Sequence, residues 1–169
     1  RNFTSFSENK SPVEVVNFLN TLFEFMIQIV NQNNGIINKF LGDGFMAVFG
    51  APLSNGKDCV NAVQASIEIL EKVKEYNETG KILPTKIGIG LHSGDAVTGN
   101  VGSDLRKEYT VIGDVVNLAS RIEQLTKQYG EQILISEDVL QKANSFDYRE
   151  IDTVRVKGRI NPVKIYTVL

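Results

Sequence analysis

Apolar positions recur along this chain in two rhythms, one helical and one alternating, and the switches between them mark out the elements. Ser11-Pro12-Val13-Glu14 opens the first helical stretch with a capping side chain, proline at the first helical position and glutamate three residues after the cap. Val15, Phe18, Leu19, Leu22, Phe23, Met26 and Val30 follow at helical spacing, and Asn33-Asn34-Gly35 ends the run. Two short apolar runs, 36–41 and 45–49, meet at Gly42-Asp43-Gly44 and predict a hairpin with an aspartate at its tip. Residues 58–76 read as a second helix, with Val60, Val63, Ile67, Leu70 and Val73 on one face. Residues 86–92 alternate as a strand and run into a glycine-rich turn region, 93–102. A strand over 109–112, a helix over 115–129, a strand over 132–135, a short helix over 136–142 and strands over 146–156 and 163–169 complete the pattern. Helices interleaved with strands, several of them in hairpins, predict an α+β, ferredoxin-like domain: one mixed sheet covered by helices, without repeats or internal linkers.

Composition narrows the class without naming a function. The 169 residues are 42% apolar and 22% charged, which suits one globular domain with a sizeable core and argues against disorder. The apolar stretches read as too short for the roughly 20 residues of a bilayer crossing, and residues 1–10 lack the apolar segment of a leader. A net charge of −2 with both signs interspersed gives no footprint for nucleic acid. The single cysteine, Cys59, excludes an internal disulfide and points to a reducing compartment. Phe3 and Phe6 have the character of packing residues whose partner element does not follow them, so a segment upstream of Arg1 is expected.

Several residues could carry chemistry, each with an ordinary explanation beside the functional one. Asp43 between two glycines is common turn chemistry, or a carboxylate for Mg²⁺ where backbone comes close to a phosphate. Lys39 shares one strand face with Leu41 and Asp43, and a solvated lysine is its ordinary explanation. Asn117 and Arg121 stand four apart on one helix face, an amide and a guanidinium that suit an anion of growing charge or simply face solvent. Asp114 reads as the cap of that helix. Lys157, beside Gly158 at a strand end, is a weak phosphate-site signal, and His92 reads as structural because no carboxylate partner can be assigned to it.

Order and spacing are more specific than any of these residues alone. Phe3-Thr4, then Lys39-Phe40-Leu41-Gly42-Asp43, Gly88-Ile89-Gly90-Leu91-His92-Ser93-Gly94, Tyr109-Thr110-Val111-Ile112-Gly113-Asp114-Val115-Val116-Asn117-Leu118-Ala119-Ser120-Arg121 and Val156-Lys157-Gly158 resemble the class III adenylate/guanylate cyclase catalytic domain. The resemblance spans residues 1–169 and implies a palm-type, ferredoxin-like sheet, mainly antiparallel and flanked by helices.

The resemblance also implies a reaction: the 3′-hydroxyl of a nucleoside triphosphate attacks its own α-phosphorus in line, giving a 3′,5′-cyclic monophosphate and pyrophosphate with two divalent ions, Mg²⁺ or Mn²⁺, at the site. Asp43 matches one metal-binding aspartate. The other is expected two positions before Arg1, together with the first strand, so that Phe3 and Thr4 are the remnant of its substrate-binding motif. Lys39 and Thr110 match the base-recognition pair of adenylate cyclases. A lysine donor suits adenine N1 and a hydroxyl can accept from the amino group, so ATP is the expected substrate. Asn117 matches the ribose-positioning asparagine, Arg121 the arginine that stabilises the transferring phosphate, and Lys157 the lysine of the terminal phosphates. The family's site is shared between two chains, so a homodimer is implied. An upstream regulatory or sensor domain and a cytoplasmic setting, free or membrane-anchored, are expected as well. The competing readings are a cyclase-like regulatory or dimerisation module without turnover, a guanylate cyclase, which Lys39 disfavours, and a cyclic-dinucleotide palm enzyme, whose Gly-Gly-Asp/Glu-Glu-Phe hairpin differs from Leu41-Gly42-Asp43-Gly44-Phe45.

Overall fold

The computed structural model describes residues 8–157 and 159–169. Helix α1, Pro12–Gln32, begins where the sequence predicts: Ser11 Oγ accepts from Glu14 N at 3.2 Å, with proline in the first turn. Its buried stripe is Leu22, Phe25, Ile29 and Val30; Leu22 and Val30 are as predicted, Phe18 and Met26 pack beside them, and Phe25 and Ile29 are added. Phe23 leaves the core to meet the rings of Phe40 and Phe45 at 5.5 and 5.9 Å. At 21 residues α1 is also long and apolar enough to cross a membrane, which corrects the expectation that no segment reaches that length. Here it lays one face on helix α2, Asp58–Thr79, where Ala65, Ile69 and Val73 complete a shared core.

Among the described residues the strands divide into three sheets instead of the single sheet expected. Strands β1, Gly35–Leu41, and β2, Gly44–Phe49, form an antiparallel ribbon. Strands β4, Val97–Ser103, and β5, Arg106–Ile112, form a second ribbon. The central sheet has the order β3-β6-β8-β7, from Ile89–Leu91, Ile133–Ser136, Val163–Val168 and Tyr148–Val154. Among the described residues only the β3–β6 pair is parallel; the class is α+β, mixed and mainly antiparallel.

Alternation along β6 explains how this sheet is covered on both faces. Leu134 packs with Ile165 against Leu118 and Ile122 of helix α3, Asp114–Tyr129. Ile133 and Ile135 turn the other way, towards Val63 of α2 and Val139 of the short helix α4, Glu137–Lys142. The stretch 93–102, expected as turn, holds all of β4 but its last residue; its glycines and exposed side chains hide the strand because nothing on it is buried.

Glycine fixes the height of α3 on the sheet. A Cβ at Gly90 would lie 2.6 Å from Glu123 Cα, so a larger residue there would push the helix off β3. That close approach sets where the first turns of α3, with their polar face, project beyond the sheet.

Candidate active site

Residues 114, 117, 118 and 121 follow one another at helical spacing on α3, so Asp114, Asn117 and Arg121 line up on one side of the helix. Leu118 beneath them is core. Against this face lies the turn that leaves β7: Arg159 N donates to Val156 O at 3.0 Å, which holds Lys157 and Arg159 on one short turn. Between turn and helix is an open pocket of about 280 Å³ lined by Asp114, Asn117, Arg121, Lys157 and Arg159 over an apolar floor of Leu118 and Val156. Three of the five polar liners are cationic and one is anionic, a balance that suits a polyanion.

The fold thus brings Asn117, Arg121 and Lys157 together although 36 residues separate the last two in sequence (157 minus 121). Asp114 is not the cap of α3. Gly113 occupies that position without a side-chain hydrogen bond, and Asp114 is the first helical residue, 3.4 Å from the guanidinium of Arg159. Neither pocket residue of this pair was found from sequence as a binding group; the signal for Arg159 was its place two residues after Lys157.

Lys39 and Thr110 lie on the two ribbons, away from the pocket lining. A bulge in β1 interrupts the register between Ile37 and Lys39 and frees the Asn38 amide, whose Nδ2 donates to Tyr109 O at 3.2 Å. Lys39 and Thr110 each follow directly on a member of that link, so they sit at neighbouring positions where the two ribbons touch. The face sharing predicted from Lys39 to Asp43 reaches only Leu41, because Asp43 stands in the turn. Gly42 takes the first turn position with φ 67°, a conformation glycine adopts freely, and Asp43 follows it, exposed.

Asp43 is a hard oxygen donor, suited to Mg²⁺ or Mn²⁺. It is nevertheless a single ligand: the described residues contain no group of three or more metal-binding side chains. They do not by themselves form a two-metal centre. Phe3 and Thr4 lie outside the described residues.

His92 does have the carboxylate neighbour that sequence could not assign. Its side chain is 4% exposed, with Nδ1 2.8 Å from Ser136 Oγ and 3.6 Å from Asp138 Oδ2. Burial pushes its pKa below the ordinary 6.5 against the opposing pull of Asp138, so a neutral ring pins the end of β3 to the start of α4. That role is structural, as its position predicted.

The model of the adenylate and guanylate cyclase catalytic domain family matches residues 1–169. An adenylate cyclase of Anabaena cylindrica is 42% identical over 99% of this chain and 35% of its own length. Among solved structures, the adenylyl cyclase CyaB from P. aeruginosa superimposes with a TM-score of 0.89 at 33% identity, covering 100% of this chain and 89% of that one. The guanylyl cyclase Cya2 does so with a TM-score of 0.86 at 36% identity, covering 99% and 86%. The chain spans about a third or less of the length of the first curated relatives it matches. Fold, ordered motifs and likeness over the whole chain agree: it belongs to the family of adenylate and guanylate cyclase catalytic domains.

Proposed function

We propose that this domain converts ATP to 3′,5′-cyclic AMP and pyrophosphate at sites shared between two copies of the chain. The convergence of Asn117, Arg121 and Lys157 on one cationic pocket carries this reading. Lys157 binds the terminal phosphates and Arg121 faces the transferring phosphate, where charge grows as the 3′-hydroxyl attacks the α-phosphorus and pyrophosphate leaves. Asn117 holds the ribose so that this hydroxyl stays in line. Lys39 donates to adenine N1, and the Thr110 hydroxyl accepts from the exocyclic amino group. Divalent ions, Mg²⁺ or Mn²⁺, would be held through Asp43 and would supply polarisation of the phosphate oxygens.

Two features support a homodimer. Asp43 does not line the pocket that holds Asn117, Arg121 and Lys157. The ribbon face that carries Thr110 also carries Val97, Val101 and Ile112, all exposed, and an apolar ribbon of that kind calls for a cover. A second copy provides both the cover and the missing carboxylate. The remaining length of the relatives is consistent with an attached regulatory or sensor domain, and ATP places the domain in the cytoplasm.

The likeness to Cya2 keeps GTP as the alternative substrate. The test is product formation from ATP and from GTP with Mn²⁺, by this chain and by the chain extended upstream by about 15 residues, room for a strand and its lead-in. Cyclic AMP as the preferred product supports the reading, and Lys39→Glu with Thr110→Cys should then weaken the preference for ATP. Cyclic GMP as the main product would overturn the substrate. Folded dimers that turn over neither nucleotide would favour a regulatory module.

A further inference from the structure

Two charged groups of the α3 pocket have no part in the chemistry above. Arg159 Nη1 stands 3.4 Å from Asp114 Oδ2; the arginine side chain is 31% exposed and the carboxylate 68%. The pair links the two elements that carry the other pocket residues. Asp114 begins the helix of Asn117 and Arg121, and Arg159 shares a turn with Lys157. A separation of 3.4 Å and a largely exposed carboxylate make this a weak ion pair, easily exchanged for a better anion. A polyphosphate is such an anion: it offers several oxygens to the guanidinium fork and carries more charge than one carboxylate.

We infer that Arg159 is a further polyphosphate-binding residue, resting on Asp114 while the pocket is empty and transferring to the phosphate chain when it enters. Asp114 and Arg159 therefore act in opposite directions. Arg159 contributes attraction to the bound polyphosphate; Asp114 competes for the same guanidinium and repels the ligand. The inference rests on the reading of this pocket as the polyphosphate site.

The opposite signs separate this role from a structural one. If the pair merely braced the turn on α3, losing either partner would harm binding alike. Calorimetry with inorganic pyrophosphate at low salt on wild type, Arg159→Gln, Arg159→Lys and Asp114→Asn measures the difference directly. Arg159→Gln should weaken pyrophosphate binding about tenfold, the scale of one charge-assisted contact, and Arg159→Lys should recover part of that. Asp114→Asn should tighten it about threefold, with adenosine binding unchanged in all variants. Weakening by Asp114→Asn, unchanged binding in Arg159→Gln, or no measurable pyrophosphate binding by wild type would each overturn the inference. A protein that binds pyrophosphate in this pattern but whose upstream-extended, folded dimer forms no cyclic nucleotide would sink the cyclase reading and leave the polyphosphate site standing. Cyclic AMP formation with equal pyrophosphate affinity in Arg159→Gln would do the reverse.

Discussion

The central sheet and the two ribbons use similar residues to opposite ends. Strand β6 is buried at every position and β8 at every second one, whereas β4 is exposed along its whole length. The sheet is clamped between α3 on one face and α2 with α4 on the other, which accounts for Leu134, Ile135 and Ile165 being wholly buried. The ribbons are covered less completely: Ile37, Phe45, Ala47 and Phe49 of β1–β2 pack on the α1–α2 core and Val111 of β5 is buried, but the other sides are open. Phe40 and Leu41 are exposed beside Lys39, and Val97, Val101 and Ile112 are exposed beside Thr110. Burial is thus unevenly divided: the sheet is closed on both faces, whereas each ribbon keeps one side with exposed apolar residues. The α3 pocket lies between the two regimes, with a core leucine as its floor and solvent-facing charges as its rim.

The largest expected effects lie in that pocket. Arg121→Ala and Asn117→Ala should each lower turnover by about 10²–10³ while changing ATP affinity much less, measured as kcat against Kd. A change confined to Kd would remove both from the reacting phosphate and reduce the pocket to a binding surface.

The next effect separates sheet from ribbon. Ile135→Ala should destabilise the fold by about 2–5 kcal/mol in urea unfolding, because its site is closed on all sides. Val101→Ser should leave the unfolding of a single copy within about 0.5 kcal/mol of wild type and instead weaken self-association in sedimentation. Equal destabilisation by the two would mean that the ribbon is as much a part of the single-chain core as the sheet.

The smallest effect concerns acid. His92 titrates below its ordinary 6.5 in the folded chain, so the unfolded chain binds the extra proton first. The stability it contributes is full above 6.5 and is lost as pH falls towards the folded value. Asp138, Arg159, Asp114 and Lys142 set the local field, and burial outweighs the favourable carboxylates. Melting temperature should drop by a few degrees from about pH 7.5 to about pH 5.5, and His92→Gln should flatten that slope.

Much of this was legible in the sequence, for physical reasons that also explain the exceptions. The Ser11-Pro12 start of α1 and the Gly42-Asp43 turn depend on local chemistry, so they could be read from a few residues. The order of Lys39, Asp43, Thr110, Asn117, Arg121 and Lys157 identified the family before any geometry. Strand β4 was hidden because a strand that buries nothing leaves no alternation to read. The buried stripe of α1 was read only in part, Leu22 and Val30 being common to both sets, because the apolar side of that helix is wider than the strip its packing on α2 buries, which adds Phe25 and Ile29. The Asp114–Arg159 pair joins residues 45 apart and has no local signature.

The central claim is that recognition and metal-binding groups from two copies complete one site, and complementation tests it most directly. Asp43→Ala and Arg121→Ala chains, each inactive alone, are mixed in equal amounts and assayed for cyclic AMP formation from ATP. Half of the dimers would pair the two variants, and each of these would hold one intact site of two, so activity should return to roughly a quarter of wild type. A mixture as inactive as its components, with exchange of chains demonstrated, would contradict a site shared between copies.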